Sequence, residues 1–111
     1  MFKPSVAQIY KIHQINGGNA LDRLLLTYDA ALIGCGQQDV VKTIQALSVL
    51  RDALDFNQEK ELAIGLFKLY QYCLELVDSG EFEKASVIIK ELKGGWKQAG
   101  PTNYRLAQKP I

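Results

Sequence analysis

Apolar residues recur every three or four positions along most of this chain, and short polar or glycine-rich breaks separate the runs. That spacing stacks apolar side chains on one face of an α-helix, and it occurs four times. The first helix is predicted to start at Asn19, an N-cap residue with Asp22 at N3, and to carry Leu21, Leu24, Leu25, Tyr28 and Leu32 on one face. Gly34 and Gly36 are its expected stop. The second runs from about Gln38 to Asp55, with Val40, Ile44, Leu47, Leu50 and Leu54 as its stripe. After the polar turn "DFNQEKE", the third runs from Glu59 to Val77 with Leu62, Leu66, Leu69, Tyr70, Cys73 and Val77 together. Asp78-Ser79-Gly80 is a tight turn. The fourth helix carries Phe82, Ala85, Ile88, Ile89, Leu92, Trp96 and Ala99, and Gly94-Gly95 within it weakens it by roughly 1 kcal/mol per glycine. Short connections make neighbouring helices antiparallel. The predicted fold class is all-α, an antiparallel up-down four-helix bundle over 19–99. It is preceded by an N-terminal segment, 1–18, compatible with a short helix between Pro4 and Gly17-Gly18, and followed by a loose tail, 100–111.

The helices hold more apolar residues than one stripe each. Leu26, Ala30 and Ile33 lie away from the first stripe, Val49 and Ala53 from the second, Ile64, Phe67 and Leu74 from the third, and Val87 from the fourth. Scattered exposed aliphatics are ordinary, so for a single residue the bland reading stands at even odds. Several helices each bearing a second short strip point instead to a partner surface, and an amphipathic helix is its natural ligand. The expected binding residues are Leu26, Ile33, Val49, Ile64 and Phe67, chosen because the core does not need them. Tyr10, Ile12 and Ile15 are placed to cover the strips from the N-terminal segment.

Composition narrows the chemistry. The 111 residues fit one domain, and with 13 Lys+Arg against 12 Asp+Glu, interspersed, there is no basic block for nucleic acid. No run of about 18 apolar residues spans a membrane, and the N-terminus lacks a signal-peptide h-region. Cys35 and Cys73 have no metal or redox spacing and are expected to be reduced thiols in a cytoplasmic protein, small hydrophobes rather than reactive groups. His13 is the only histidine, so neither a triad nor a multi-histidine metal site can be built, and "GCGQQD" lacks the strand and spacing of a phosphate loop. No catalytic residue, cofactor or metal is expected, and the chain is not read as an enzyme.

With the helices placed, the chain resembles the FliS family of flagellar export chaperones. Tyr10 precedes "NALDRLLLTYDAAL", in which Tyr28, Asp29 and Ala31 match the family's L-Y-D-x-A. Leu54-Asp55 follows. "LFKLYQYCLELV" supplies Leu69, Tyr70 and Tyr72 for L-Y-x-Y, and "ELKGGWKQA" supplies Leu92, Lys93 and Trp96 for the closing Leu-basic-x-x-Trp pattern. The match spans about residues 10–99, in order. The chain departs from the pattern in a first hairpin cut short at 34–39, in Asn19-Ala20 where Thr-Pro is frequent, and in Gly94-Gly95.

The resemblance implies a cytosolic chaperone that binds the disordered C-terminal segment of flagellin, or of a related secreted filament protein. The client folds into helices on the bundle, is kept from premature polymerisation and is delivered to the export apparatus, a second partner. The N-terminal segment would lie over the groove until the client displaces it. The expected state is a monomer or weak dimer. The competing reading is a self-associating structural bundle, with the same strips as a homodimer interface and no foreign client.

Overall fold

The computed structural model describes the backbone of residues 20–111 and every side chain in that span except those at 101 and 102. Asn19, the 1–18 segment and the expected cover residues Tyr10, Ile12 and Ile15 lie outside the described residues. Four helices follow one another: α1 (Ala20–Gly36), α2 (Val40–Asp52), α3 (Lys60–Asp78) and α4 (Phe82–Asn103), with a 3₁₀ turn at Tyr104–Leu106. Each helix packs on two neighbours, α1 and α3 both on α2 and α4, which closes the predicted all-α bundle.

Local chemistry sets the helix ends. Asp39 caps α2 by accepting a hydrogen bond from the Lys42 amide through its carboxylate. Gly80, at φ 78°, ends α3: the Gly80 amide bonds the Val77 carbonyl and the Glu81 amide bonds that of Leu76. Gly34 does not stop α1, which continues to Gly36. It is instead a point of close approach to α2. A Cβ there would stand 2.4 Å from Thr43 Oγ1 and 2.9 Å from the Thr43 amide nitrogen. Gly94 and Gly95 lie inside α4 without interrupting it.

The core contains Leu24, Tyr28, Ala31, Leu47, Leu50, Leu66, Tyr70, Cys73, Val77, Ala85, Ile89 and Trp96. A chain of hydrogen bonds runs through it. Trp96 Nε1 donates to Tyr28 Oη at 2.8 Å, the two tyrosine hydroxyls are bonded to each other, and Tyr70 Oη donates to Gln108 Oε1 at 2.7 Å. Gln108 Nε2 donates to the Leu50 carbonyl, which fixes the amide's orientation. Since Tyr70 gives its only proton to Gln108, Tyr28 is the donor between the tyrosines. Protons therefore all point one way, from α4 through α1 and α3 to the C-terminal segment.

That segment differs most from expectation. The tail is packed, not loose: Tyr104, Ala107 and Gln108 are buried. Helix α4 kinks at Gly100, whose φ of 83° and ψ of 180° are non-helical, before its last turn to Asn103. The chain then pairs with the α2–α3 connection, where Leu54 faces Gln108 in an antiparallel bridge. The Asp55 amide donates to Ala107 O at 2.7 Å and the Lys109 amide to Ala53 O at 2.7 Å. This pairing is also why α2 ends at Asp52 rather than Asp55: the chain turns at Ala53 and Leu54 bridges to the tail.

Candidate partner-binding face

Helix α3 has apolar side chains on three sides. Its buried face holds Ala63, Leu66, Tyr70, Cys73, Leu76 and Val77. At 100° per residue two apolar flanks border that face. One carries Ile64 and Phe67, exposed at 36 % and 39 %, with half-buried Leu74. It faces α2, because Arg51 near the end of α2 donates to Gln71 Oε1 on this flank at 3.1 Å. The other carries Leu62, Leu69 and Tyr72, exposed at 44 %, 38 % and 49 %. It faces α4, where Tyr72 is near enough to Lys84 to act on its charge. Glu81, hydrogen-bonded and ion-paired with Lys84, is the larger influence holding that ammonium above its usual range.

Half-buried Ile88, Leu92 and Ala99 lie on the neighbouring side of α4. By helix position Gly65 shares the flank of Leu69 and Tyr72, and Gly95 the side of Ile88 and Ala99; nothing lies within 4 Å of where either Cβ atom would be.

The five residues expected to bind a partner do not form one surface. Ile64 and Phe67 lie together on the α2-facing flank. Val49 is exposed on α2, but about 160° around that helix from Arg51, so it points away from α3. Ile33 is half-buried on α1. Leu26 is not surface at all: it is 3 % exposed, because the buried arc of α1 also takes in Thr27 and Ala30 and is wider than a single stripe. Conversely, Leu62, Leu69 and Tyr72 are surface, although the stripe Leu62–Val77 had placed the two leucines in the core. Gly65, set among them on the same flank, was the signal: a core-facing stripe has little use for a residue with no side chain to pack.

Electrostatics adds no catalytic feature among the described residues. No group of three or more His, Cys, Asp or Glu there is arranged to hold a metal, and no helix is long and apolar enough to cross a membrane. Both cysteines are free and buried. Burial raises the Cys35 thiol and pushes that of Cys73 up to about 11, with Cys35 adding to the latter, so neither is thiolate near neutrality. Burial likewise pushes Tyr28 up to about 12 and raises Tyr70 well above the ordinary phenol range. A cleft of about 660 Å³ lies between Leu32 and Cys35 of α1 and Phe82 of α4. Its rim of Glu81, Glu83, Lys84 and Lys90 is mixed in sign and favours no particular ion.

What remains is a bundle with an apolar flank on each side of one helix. The sequence profile of a family described as flagellar protein FliS matches residues 33–103, from the last turn of α1 to the end of α4. No curated protein and no solved structure matches the chain significantly.

Proposed function

Because this chain belongs to the FliS family, we propose that it is a cytosolic export chaperone. Its client is the disordered C-terminal segment of flagellin or of a related secreted filament protein, which docks as amphipathic helices on the flanks of α3. The observation that carries this is the exposure of Leu62, Ile64, Phe67, Leu69 and Tyr72 on one helix whose opposite face is already fully used by the core.

Magnitudes are compatible with a delivery role. Covering a few hundred Å² of apolar surface offers on the order of 10 kcal/mol of gross burial at about 25 cal/mol per Å². Folding the client removes roughly 2–5 kcal/mol of it or more. The balance holds a client against polymerisation and still lets it go at the export apparatus.

Titration with the C-terminal peptide of a flagellin from the same genome, followed by circular dichroism, tests the proposal. Helix content should rise beyond the sum of the two components. Ile64→Asp and Phe67→Asp should each weaken binding at least tenfold. Because both side chains already reach solvent, the bundle should stay within about 0.5 kcal/mol of its original stability. Light scattering on the chain alone completes the test: a tight dimer that buries the α3 flanks and no peptide binding would replace the chaperone reading with the self-associating bundle.

A further inference from the structure

Charges of both signs are interspersed along the chain, yet α4 gathers three lysines on one side. Lys90, Lys93 and Lys97 follow at spacings of three and four, so they share one narrow arc of the helix. That arc borders α1. Lys93 bonds Asp29, and Trp96, three residues on, bonds Tyr28, which fixes the antiparallel register of the two helices. The same register sets Lys90 beside Leu32 and Lys97 beside Leu25. Lys90 and Leu32 share the lining of the cleft, together with Phe82 and Ser86. Leu25 and Leu32 are half-buried and pack against the core, so the seam beside the lysines has an apolar floor.

The charges of this seam are only partly matched. Lys93 is taken by Asp29, whereas Lys90 and Lys97 are exposed and have no ion pair among the described residues. Acids stand at the two ends of the stretch, Asp22 in the first turn of α1 and Glu83 in the first turn of α4. Gly94, between the two exposed lysines, has nothing within 4 Å of where its Cβ would be, which leaves the space there open.

We propose that the α1–α4 seam is a second docking surface, separate from the flanks of α3, and that its occupant is an acidic amphipathic helix of another protein. Apolar side chains of that helix rest on Leu25 and Leu32. Two of its carboxylates, seven positions and about 10 Å apart, meet the ammoniums of Lys90 and Lys97. Charge sign selects this occupant: a neutral or cationic helix leaves both lysines unmatched, and two free lysines over an apolar strip are too few for a nucleic-acid backbone. The seam shares no residue with the α3 flanks, so it stands whether or not those flanks take a flagellin segment.

The probe is a labelled, end-blocked synthetic peptide of about 18 residues, five helical turns, with glutamates at every seventh position and leucines between them on the same face. Fluorescence anisotropy against the full chain should show saturable binding. Binding should weaken at least tenfold between about 50 and about 500 mM salt. It should weaken at least tenfold when the glutamates become glutamines, or when the same residues are scrambled. Lys90→Glu with Lys97→Glu should weaken it at least tenfold, and Lys90→Gln with Lys97→Gln, which adds no charge, at least threefold. Circular dichroism should show both double variants as helical as the parent, while Ile64→Asp should leave the affinity unchanged. The seam is overturned if the peptide does not bind, if glutamate, glutamine and scrambled peptides bind equally, or if neither lysine pair matters. Loss of binding in Ile64→Asp would move the peptide to α3 and overturn it too. So would light scattering that shows a dimer of the chain dissociated by the charge reversal, since the occupant would then be a second copy.

Discussion

Replacing Tyr70 by Phe removes one oxygen from the middle of the buried chain of hydrogen bonds. The hydroxyl donates to Gln108 Oε1 and accepts from Tyr28, so its loss leaves an amide oxygen and a phenolic proton without partners in a region where both tyrosines are 0 % exposed. Each orphaned group costs roughly 1–3 kcal/mol, which places the variant about 2–4 kcal/mol below the parent, a large share of the 5–15 kcal/mol typical of a domain. Tyr28→Phe orphans the Trp96 N–H and costs about 1–3 kcal/mol by the same reasoning. In the double variant the Tyr28 proton no longer exists to be orphaned, so the two effects should fall short of their sum by about 1–2 kcal/mol. Urea unfolding followed by circular dichroism gives the four stabilities. Trp96, the chain's only tryptophan, reports on the network from inside it by fluorescence. A Tyr70→Phe variant within about 0.5 kcal/mol of the parent, or additivity within the same margin, would refute the network as a stabilising unit.

Three further outcomes are expected. Gly34→Ala should destabilise by about 1–3 kcal/mol through its clash with Thr43, whereas Gly94→Ala, open to solvent, should stabilise by about 0.5–1 kcal/mol; thermal unfolding of the pair checks the contrast, and equal effects would contradict it. Alkali should unfold the protein early. Cys73 and Tyr28 keep their protons in the folded state up to about 11 and 12, while the unfolded chain releases them near 9 and 10. Their contribution is therefore complete below pH 9. It falls as pH rises from 9 to 12, by about 1.4 kcal/mol per unit for each group within its window, and a flat stability profile over that range would contradict it. Leu62→Asp or Tyr72→Asp should separate the two flanks of α3: if the client uses both, each substitution weakens peptide binding as Phe67→Asp does, measured by the same titration.

The repeat of apolar residues was enough to place the four helices and their turns, because helix periodicity and glycine breaks are local signals. Two kinds of information were not local. Which side of α3 faces inward depends on where α2 and α4 stand, and a helix apolar on three sides leaves Leu62 and Leu69 as plausible in the core as Leu66. The fate of the tail depends on a pairing between residues 53–55 and 107–109, some fifty positions apart and with no alternation long enough to announce a strand. Gln108 is a surface residue by type, and only the uncapped Tyr70 hydroxyl and Leu50 carbonyl make its burial favourable. Leu26 failed for a related reason: one stripe per helix is a minimum, and α1 buries a wider arc.

The motif residues that carry the family resemblance have a shared structural role. Tyr28, Tyr70 and Trp96 are consecutive members of the buried hydrogen-bond chain. Asp29 and Lys93, their neighbours in the motifs, form an ion pair between α1 and α4. These side chains join α1, α3 and α4 into one body, so a sequence that keeps them keeps the bundle whatever it binds. The same residues are buried or paired and have little left to offer a partner. On the proposed reading, discrimination between clients would then fall to positions the motifs do not fix: Leu62, Ile64, Phe67 and the open positions at Gly65 and Gly95. Leu69 and Tyr72 are the exceptions: both belong to the motif, and they are 38 % and 49 % exposed, on the α4-facing flank of α3 rather than in the core. On the proposed chaperone reading, residues that the resemblance retains with so little demand from packing are the ones most directly tied to the client.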